Sequence, residues 1–162
     1  MGTRSRARSR ADGLLRGAAA GAAGTAALHI VTCLDMAARG RAASRTPEET
    51  VEKLSAATHV PVPGAGETRA HRVAALGALS GLVVGVGVGA ALGAVRATGP
   101  VRTALAAGLG AMAGGNGPMA ALGVTDLRTW SRADWLSDAV PHAAYGAVTA
   151  GVLHGLRRGQ SA

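Results

Sequence analysis

The sequence predicts an all-α protein, a four-transmembrane-helix bundle with a short amphipathic helix in the first loop. Four apolar stretches lie between charged residues, and each is close to the roughly 20 residues that a helix needs to cross a bilayer. The chain of 162 residues is 48% hydrophobic, yet it contains no Phe, two Trp and one Tyr. Its apolar content is mainly Ala, Gly, Val and Leu, which suits helices that pack against helices in lipid.

The bounds of the spans follow from the charged residues around each apolar stretch. The spans are placed at about 14–37, 73–95, 103–125 and 139–156, within a membrane domain over residues 13–158. Residues 1–12 are predicted to form a disordered basic arm. The first stretch also fits a signal peptide, because a basic segment precedes an apolar one. We favour a retained helix, since no clean small-residue cleavage site follows it and three more spans do.

The net charge of +8 is concentrated near the ends of the chain. Arginines stand at positions 4, 6, 8, 10, 157 and 158. In a four-span topology the N-terminal arm, the turn over 96–102 and the C-terminus share one side, and basic flanks favour the cytoplasm. The sequence therefore predicts a multi-pass protein of a bacterial plasma membrane, N-in and C-in, with the lipid bilayer as its main partner. No nucleic acid partner is predicted, because no aromatic or helix-turn-helix context accompanies the arginines.

Glycine recurs at every fourth position of the second span. These predicted helix-packing residues are Gly77, Gly81, Gly85, Gly89 and Gly93. In water each interior glycine would cost about 1 kcal/mol relative to alanine, whereas in lipid a row of glycines lets another helix approach closely. The same spacing occurs at positions 17 and 21, 110 and 114, and 151 and 155. The row predicts tight packing within one bundle or, as the alternative, a homo-oligomeric interface.

The first loop contains TPEETVEKL at 46–54. This stretch predicts a short helix over 47–57. Thr46 is expected to be the cap, Pro47 the first helical residue and Glu49 the capping-box partner. Val51 and Leu54 share one face of it, so we expect an amphipathic helix at the membrane surface.

The loop before the fourth span predicts another helix start. Ser131 and Asp134 have the spacing of a capping box. Trp130 and Trp135 are expected to be interface anchors at the level of the lipid headgroups. Pro141 then opens or kinks the fourth span.

Polar residues inside the third and fourth spans are the candidate functional site. Asn116 and Pro118 lie near the middle of the third span, where the proline predicts a kink or break. Broken helices at this depth often hold transporter binding sites, although the favoured interpretation is that Asn116 satisfies the backbone groups that Pro118 frees. Asp138 and His142 lie one helical turn apart. That pair could respond to protons, or could simply lie in water near the interface.

Motifs for catalysis or cofactor binding are absent from the sequence. No HExxH, G-x-S-x-G or Walker loop occurs, and the single Cys33 offers no cysteine pair for zinc. GVGVGA at 85–90 matches a dinucleotide fingerprint, but it lies inside an apolar span with no strand before it. We therefore expect no enzyme, no cofactor, no metal and no catalytic residue.

Four stretches carry a resemblance to a known group. They are LRGAAAGAAGTAAL at 15–28, TPEETVEKL at 46–54, GVGVGAALG at 85–93 and GVTDLRTWSRADWLSDAVPHAAYG at 123–146. The chain resembles small, uncharacterised four-helix integral membrane proteins of actinobacteria and is more distantly similar to YagU-like inner-membrane proteins. The resemblance implies location and architecture, and it carries over no activity. We expect a structural or accessory role with glycine-mediated helix packing; the alternative is a small transporter or channel subunit with a midplane polar site.

Overall fold

Five α-helices make up most of the protein. The computed structural model describes residues 2–95 and 99–159, and no strand occurs in these two ranges. The helices are α1 (Gly2–Arg39), α2 (Thr46–Thr58), α3 (Gly66–Ala94), α4 (Pro100–Ala121) and α5 (Arg132–Arg158), with a 3-10 turn at Leu127–Thr129. The all-α prediction is confirmed.

The predicted bounds differ from the structure at both ends of all four spans. Residues 2–12 are helical and continue into α1, whereas the sequence predicts a disordered arm. Ala and Arg are strong helix formers, and no proline interrupts them. Helix α4 begins at Pro100 and ends at Ala121, four residues before the predicted end. Gly123 follows with a φ of 66°, a left-handed conformation that stops a helix.

Two helices are long and apolar enough to cross a membrane. Among the described residues they are α1, over Ser9–Arg39, and α3, over Gly66–Ala94. Helices α4 and α5 do not reach the same hydropathy, because glycines, Asn116 and Pro118 dilute α4, and charged residues and two histidines dilute α5. The structure thus supports membrane association through two helices, and the four-span prediction goes beyond it.

The four long helices form a bundle in which α1 lies between α3 and α5, and α5 lies between α1 and α4. Helix α3 contacts α4 less extensively, and α2 packs beside α3. One end of the bundle, here called the arginine end, holds the start of α1, the end of α3, the start of α4 and the end of α5. The opposite end, called the loop end, holds α2 and the 122–131 segment.

Small side chains fill most of the interior of the bundle, and many large apolar side chains lie on its surface. The buried residues include Ala20, Ala107, Ala111 and Ala150, with Tyr145 and Leu153 as the largest fully buried apolar side chains. Large apolar side chains on the long helices point outward instead, among them Leu15, Ile30, Val83, Leu109 and Val140, which are 52–71% exposed. Large apolar side chains on the outside of a bundle whose interior holds small residues favour a lipid environment.

Glycines form the contact between α1 and α3. On α1 they are Gly13, Gly17 and Gly21, and on α3 Gly85, Gly89 and Gly93. A Cβ atom added to Gly89 would lie 2.6 Å from the Cα atom of Gly21, and one added to Gly13 would lie 2.6 Å from the carbonyl oxygen of Gly93. The two backbones therefore touch, and this part of the glycine row packs within the chain.

The rest of the predicted row has other surroundings. Gly77 faces α2, where an added Cβ would lie 3.1 Å from Pro47 Cβ, and Gly81 has nothing within 4 Å. Gly151 and Gly155 are equally open. An unpredicted pair joins α4 to α5: a Cβ on Gly108 would lie 2.9 Å from the carbonyl oxygen of His142, and one on Gly146 would lie 3.0 Å from the nitrogen of Gly108.

Candidate functional site

The predicted polar residues of α4 and α5 come together at the loop end. Asn116 Nδ2 donates a 2.8 Å hydrogen bond to Asp138 Oδ2. His142 Nδ1 lies 2.7 Å from the backbone carbonyl oxygen of Asp138 and 3.4 Å from its Oδ1. Asn116 is 9% exposed, and the side chains of Asp138 and His142 are 19% and 16% exposed. These three residues, called the polar cluster below, form one connected group.

Pro118 does not belong to this cluster. The sequence predicts a kink or a break at Pro118, and the break is wrong. Helix α4 continues through Pro118 for three more residues, and Pro118 itself is exposed. Because the helix starts earlier and stops sooner than predicted, Asn116 lies in its last two turns and not at its middle. Helix α4 ends normally a few residues after Pro118. Leu122 is its C-cap residue, and the Leu122 N–H donates a 2.9 Å hydrogen bond to the Pro118 carbonyl.

The start of α5 holds Asp138 and His142 in place. The capping box between Ser131 and Asp134 is present as predicted, and Arg39 Nη1 donates a 2.6 Å hydrogen bond to Ser137 Oγ. Helix α5 runs on through Pro141, which is buried. Proline lacks the N–H that would bond to the carbonyl of Ser137. Asp138 and His142 therefore stand on one face of a helix that is anchored at its start.

A cavity of about 440 Å³ lies on one side of the polar cluster. This inner cavity lies between the four long helices, and α2 closes part of it with Pro47, Thr50 and Leu54. Its walls are mostly apolar, and His29 of α1 contributes to them. The sequence predicted α2 correctly as a helix, but not its position over a cavity. The prediction of Thr46 as its cap is wrong: Arg45 is the N-cap residue, and no side chain caps the helix.

A second cavity, of about 430 Å³, touches the same polar cluster from the loop end. This outer cavity is lined in part by Arg39, Arg41, Trp130 and Asp134. Arg41 Nη2 pairs with Asp35 Oδ2 at 2.7 Å, so its charge is balanced locally. The polar cluster therefore lies where the two cavities meet.

The two tryptophans stand together at the loop end. Their ring centroids are 5.0 Å apart in an edge-to-face arrangement, which is a favoured aromatic geometry. Trp130 Nε1 donates a 2.9 Å hydrogen bond to Thr125 Oγ1, and Trp135 is 40% exposed. The anchoring role of the two tryptophans stays a prediction.

Carboxyl groups of the loop end carry lowered pKa values. The pKa of Asp134 lies below its usual value because the hydroxyl and the backbone N–H of Ser131 donate to its carboxylate. The pKa of Asp126 is lowered by hydrogen bonds from the side chain and backbone of Arg128. Asp126 thus caps the 3-10 turn, and Asp134 caps the start of α5.

Comparison with known proteins gives no match. No family model, no curated protein and no solved structure matches the chain. Within residues 2–95 and 99–159, no group of three or more His, Cys, Asp or Glu side chains is placed to hold a metal ion. The polar cluster and the two cavities are therefore the features that bear on function.

Proposed function

We propose that the chain is a four-span protein of a bacterial plasma membrane that binds a small solute at the polar cluster, as a transporter or channel subunit would. The observation that carries this proposal is the contact between Asn116 and Asp138 where two cavities meet. Ionisable groups inside a membrane bundle are costly, and they commonly mark a substrate pathway.

The outward surface of α4 and α5 supports the membrane part of the proposal. Val101, Leu105 and Leu109 form an exposed apolar stripe along α4, with 61–69% of each side chain accessible. Near the start of α5, Leu136 and Val140 are likewise exposed apolar residues. Because small residues fill the interior, the hydropathy of the whole helix understates how apolar its outer face is. We propose on this basis that α4 and α5 cross the bilayer with α1 and α3.

The grouping of helix ends supports the N-in and C-in topology. Arg157 Nη2 lies 3.3 Å from the carbonyl oxygen of Leu92, and Thr103 Oγ1 lies 3.2 Å from His154 Nε2. The end of α5 therefore lies beside the end of α3 and the start of α4. With Gly13 beside Gly93, the start of α1 joins them, and basic residues at this arginine end favour the cytoplasm.

A structural or accessory role is the second candidate. The backbone contact between Gly17 of α1 and Gly89 of α3 favours it, because such packing makes a rigid scaffold without any ligand. The two candidates differ at the inner cavity. A solute-binding protein needs water there, whereas a scaffold has no need of a wet cavity.

Cysteine labelling separates these candidates. In a Cys33→Ser background, Gly115→Cys places a thiol at the inner cavity, where an added Cβ would meet nothing within 4 Å. Leu109→Cys places the matched control on the outer face of the same helix. We expect a charged, water-soluble thiosulfonate to modify the first thiol and spare the second in intact membranes. Protection of both thiols would favour the scaffold, and equal modification would contradict the membrane assignment.

A further inference from the structure

Asp138 brings a carboxylate to the wall of the inner cavity. Its Oδ2 accepts one hydrogen bond from Asn116 at 2.8 Å, and its Oδ1 lies 3.4 Å from His142 Nδ1. The described residues that line this cavity include no Lys and no Arg. A carboxylate that is 19% exposed thus faces the cavity without a permanent positive charge beside it there. Such a group is stabilised when a cation occupies the adjoining space.

The other walls of the inner cavity suit an apolar body. Leu28, Val84, Ala111 and the ring of Tyr145 line it from four different helices, and Leu54 of α2 faces them. The volume of about 440 Å³ lies within the range of small-molecule sites, which combine mostly apolar walls with a few polar groups. A ligand that matches both features has a positive head group and a compact apolar remainder.

The inner cavity's residues thus define a ligand class, and the inference rests on the function proposed above. We propose that the inner cavity binds a small organic monocation, an amine or quaternary ammonium compound with an apolar body, with Asp138 as its counter-ion. Asn116 is a positioning residue in this site, because its amide donates to Oδ2 and fixes the orientation of the carboxylate. The arginines of the outer cavity do not neutralise the site, since Arg41 pairs with Asp35 and Arg39 bonds to Ser137 and Asp35.

Binding of a simple probe tests this inference. The full chain is reconstituted in phosphatidylcholine nanodiscs, whose lipid carries no net charge, and radiolabelled benzyltrimethylammonium is titrated onto it. We expect saturable binding that is weakened about tenfold or more by Asp138→Asn, as is typical for removal of a buried charge partner. Asp126→Asn is the matched control, because it removes one negative charge in the loop outside both cavities. Equal binding to the wild type and Asp138→Asn would overturn the proposal.

A measurement on the wild type removes any dependence on how well the variant folds. Unlabelled benzyltrimethylammonium should displace the probe at a concentration about tenfold or more below that of neutral benzyl alcohol. Equal potency of the two compounds, or no saturable binding, would contradict a cation site. Neither result affects the labelling of Gly115→Cys, so failure of this inference is distinguishable from failure of the proposed function.

Discussion

The phenol of Tyr145 on α5 donates a 2.6 Å hydrogen bond to the backbone carbonyl of Gly85 on α3. Tyr145 is fully buried, and its ring also lines the inner cavity. The bond joins α3 and α5, which also meet where Arg157 lies beside the end of α3. A Cβ atom added to Gly85 would lie 3.4 Å from Cε2 of the Tyr145 ring, an ordinary contact, and would collide with Thr25 Oγ1 of α1.

Tyr145→Phe should therefore lower the free energy of unfolding by about 1 kcal/mol, which is the usual net value of one hydrogen bond. The ring remains in place, so the loss of packing is small. Reversible unfolding in mixed detergent micelles measures the change. Stability equal to that of the wild type would show that the bond contributes nothing.

Gly89→Ala should disrupt the contact between α1 and α3. The added Cβ would lie 2.6 Å from Gly21 Cα and 2.7 Å from Gly21 N. Backbone atoms cannot relieve such a clash by a change of rotamer, as side-chain atoms can. We expect a loss of about 1–3 kcal/mol, the range found for overpacked cores. The matched control is Gly81→Ala on the same helix, where the new methyl group meets nothing within 4 Å. Similar thermal stability of the two variants in detergent would contradict the account of this interface.

Arg157 caps the end of α3 from α5. Its Nη2 lies 3.3–3.5 Å from the carbonyl oxygens of Leu92, Gly93 and Val95. A cation at a helix C-terminus contributes about 0.3–1 kcal/mol through the helix dipole. We expect Arg157→Gln to reduce stability by an amount in this range and Arg158→Gln, at the exposed neighbouring position, to have a smaller effect. A larger loss for Arg158→Gln would contradict the assignment of the cap.

The Ser131–Asp134 capping box should make the start of α5 sensitive to acid. Because the pKa of Asp134 is lowered below its ordinary value of 3.8 by bonds from Ser131, its carboxylate favours the folded state. That contribution is fully present above pH 3.8 and is lost as the pH falls through the lowered pKa of the folded protein.

Hydrogen exchange of the first turns of α5, followed from neutral pH into acid, checks this expectation. Asp134→Ala should exchange faster than the wild type at neutral pH, and the difference should shrink once both proteins lack the charge. A difference that persists unchanged in acid would assign the effect to something other than the carboxylate.

Much of the local structure follows from the sequence. The pattern at 46–57 predicts α2, which the structure places at Thr46–Thr58, and the spacing of Ser131 and Asp134 predicts the start of α5. These signals lie within a few residues of each other, so no knowledge of the tertiary fold is needed. The capping prediction at Thr46 was wrong because the helix begins one residue earlier than predicted, so that Pro47 takes the second helical position.

Contacts between helices were harder to predict. The four-residue spacing of glycines indicates a close approach, but it does not say that Gly89 meets α1 while Gly81 meets nothing. The bond between Asn116 and Asp138 depends on where α4 ends and on how α5 lies beside it. Tyr145 was missed altogether, although a lone tyrosine inside an apolar span is a signal, since its hydroxyl needs a partner when buried.

In the proposed topology all four long helices cross the membrane, with both ends of the chain in the cytoplasm. Fusions of alkaline phosphatase and of green fluorescent protein after Pro63, Gly99, Asp126 and Arg158 test it directly. We predict active phosphatase after Pro63 and Asp126 and fluorescent protein after Gly99 and Arg158. A fusion after Asp126 that reports the same side as the one after Gly99 would show that α4 does not cross, and it would contradict the four-span account.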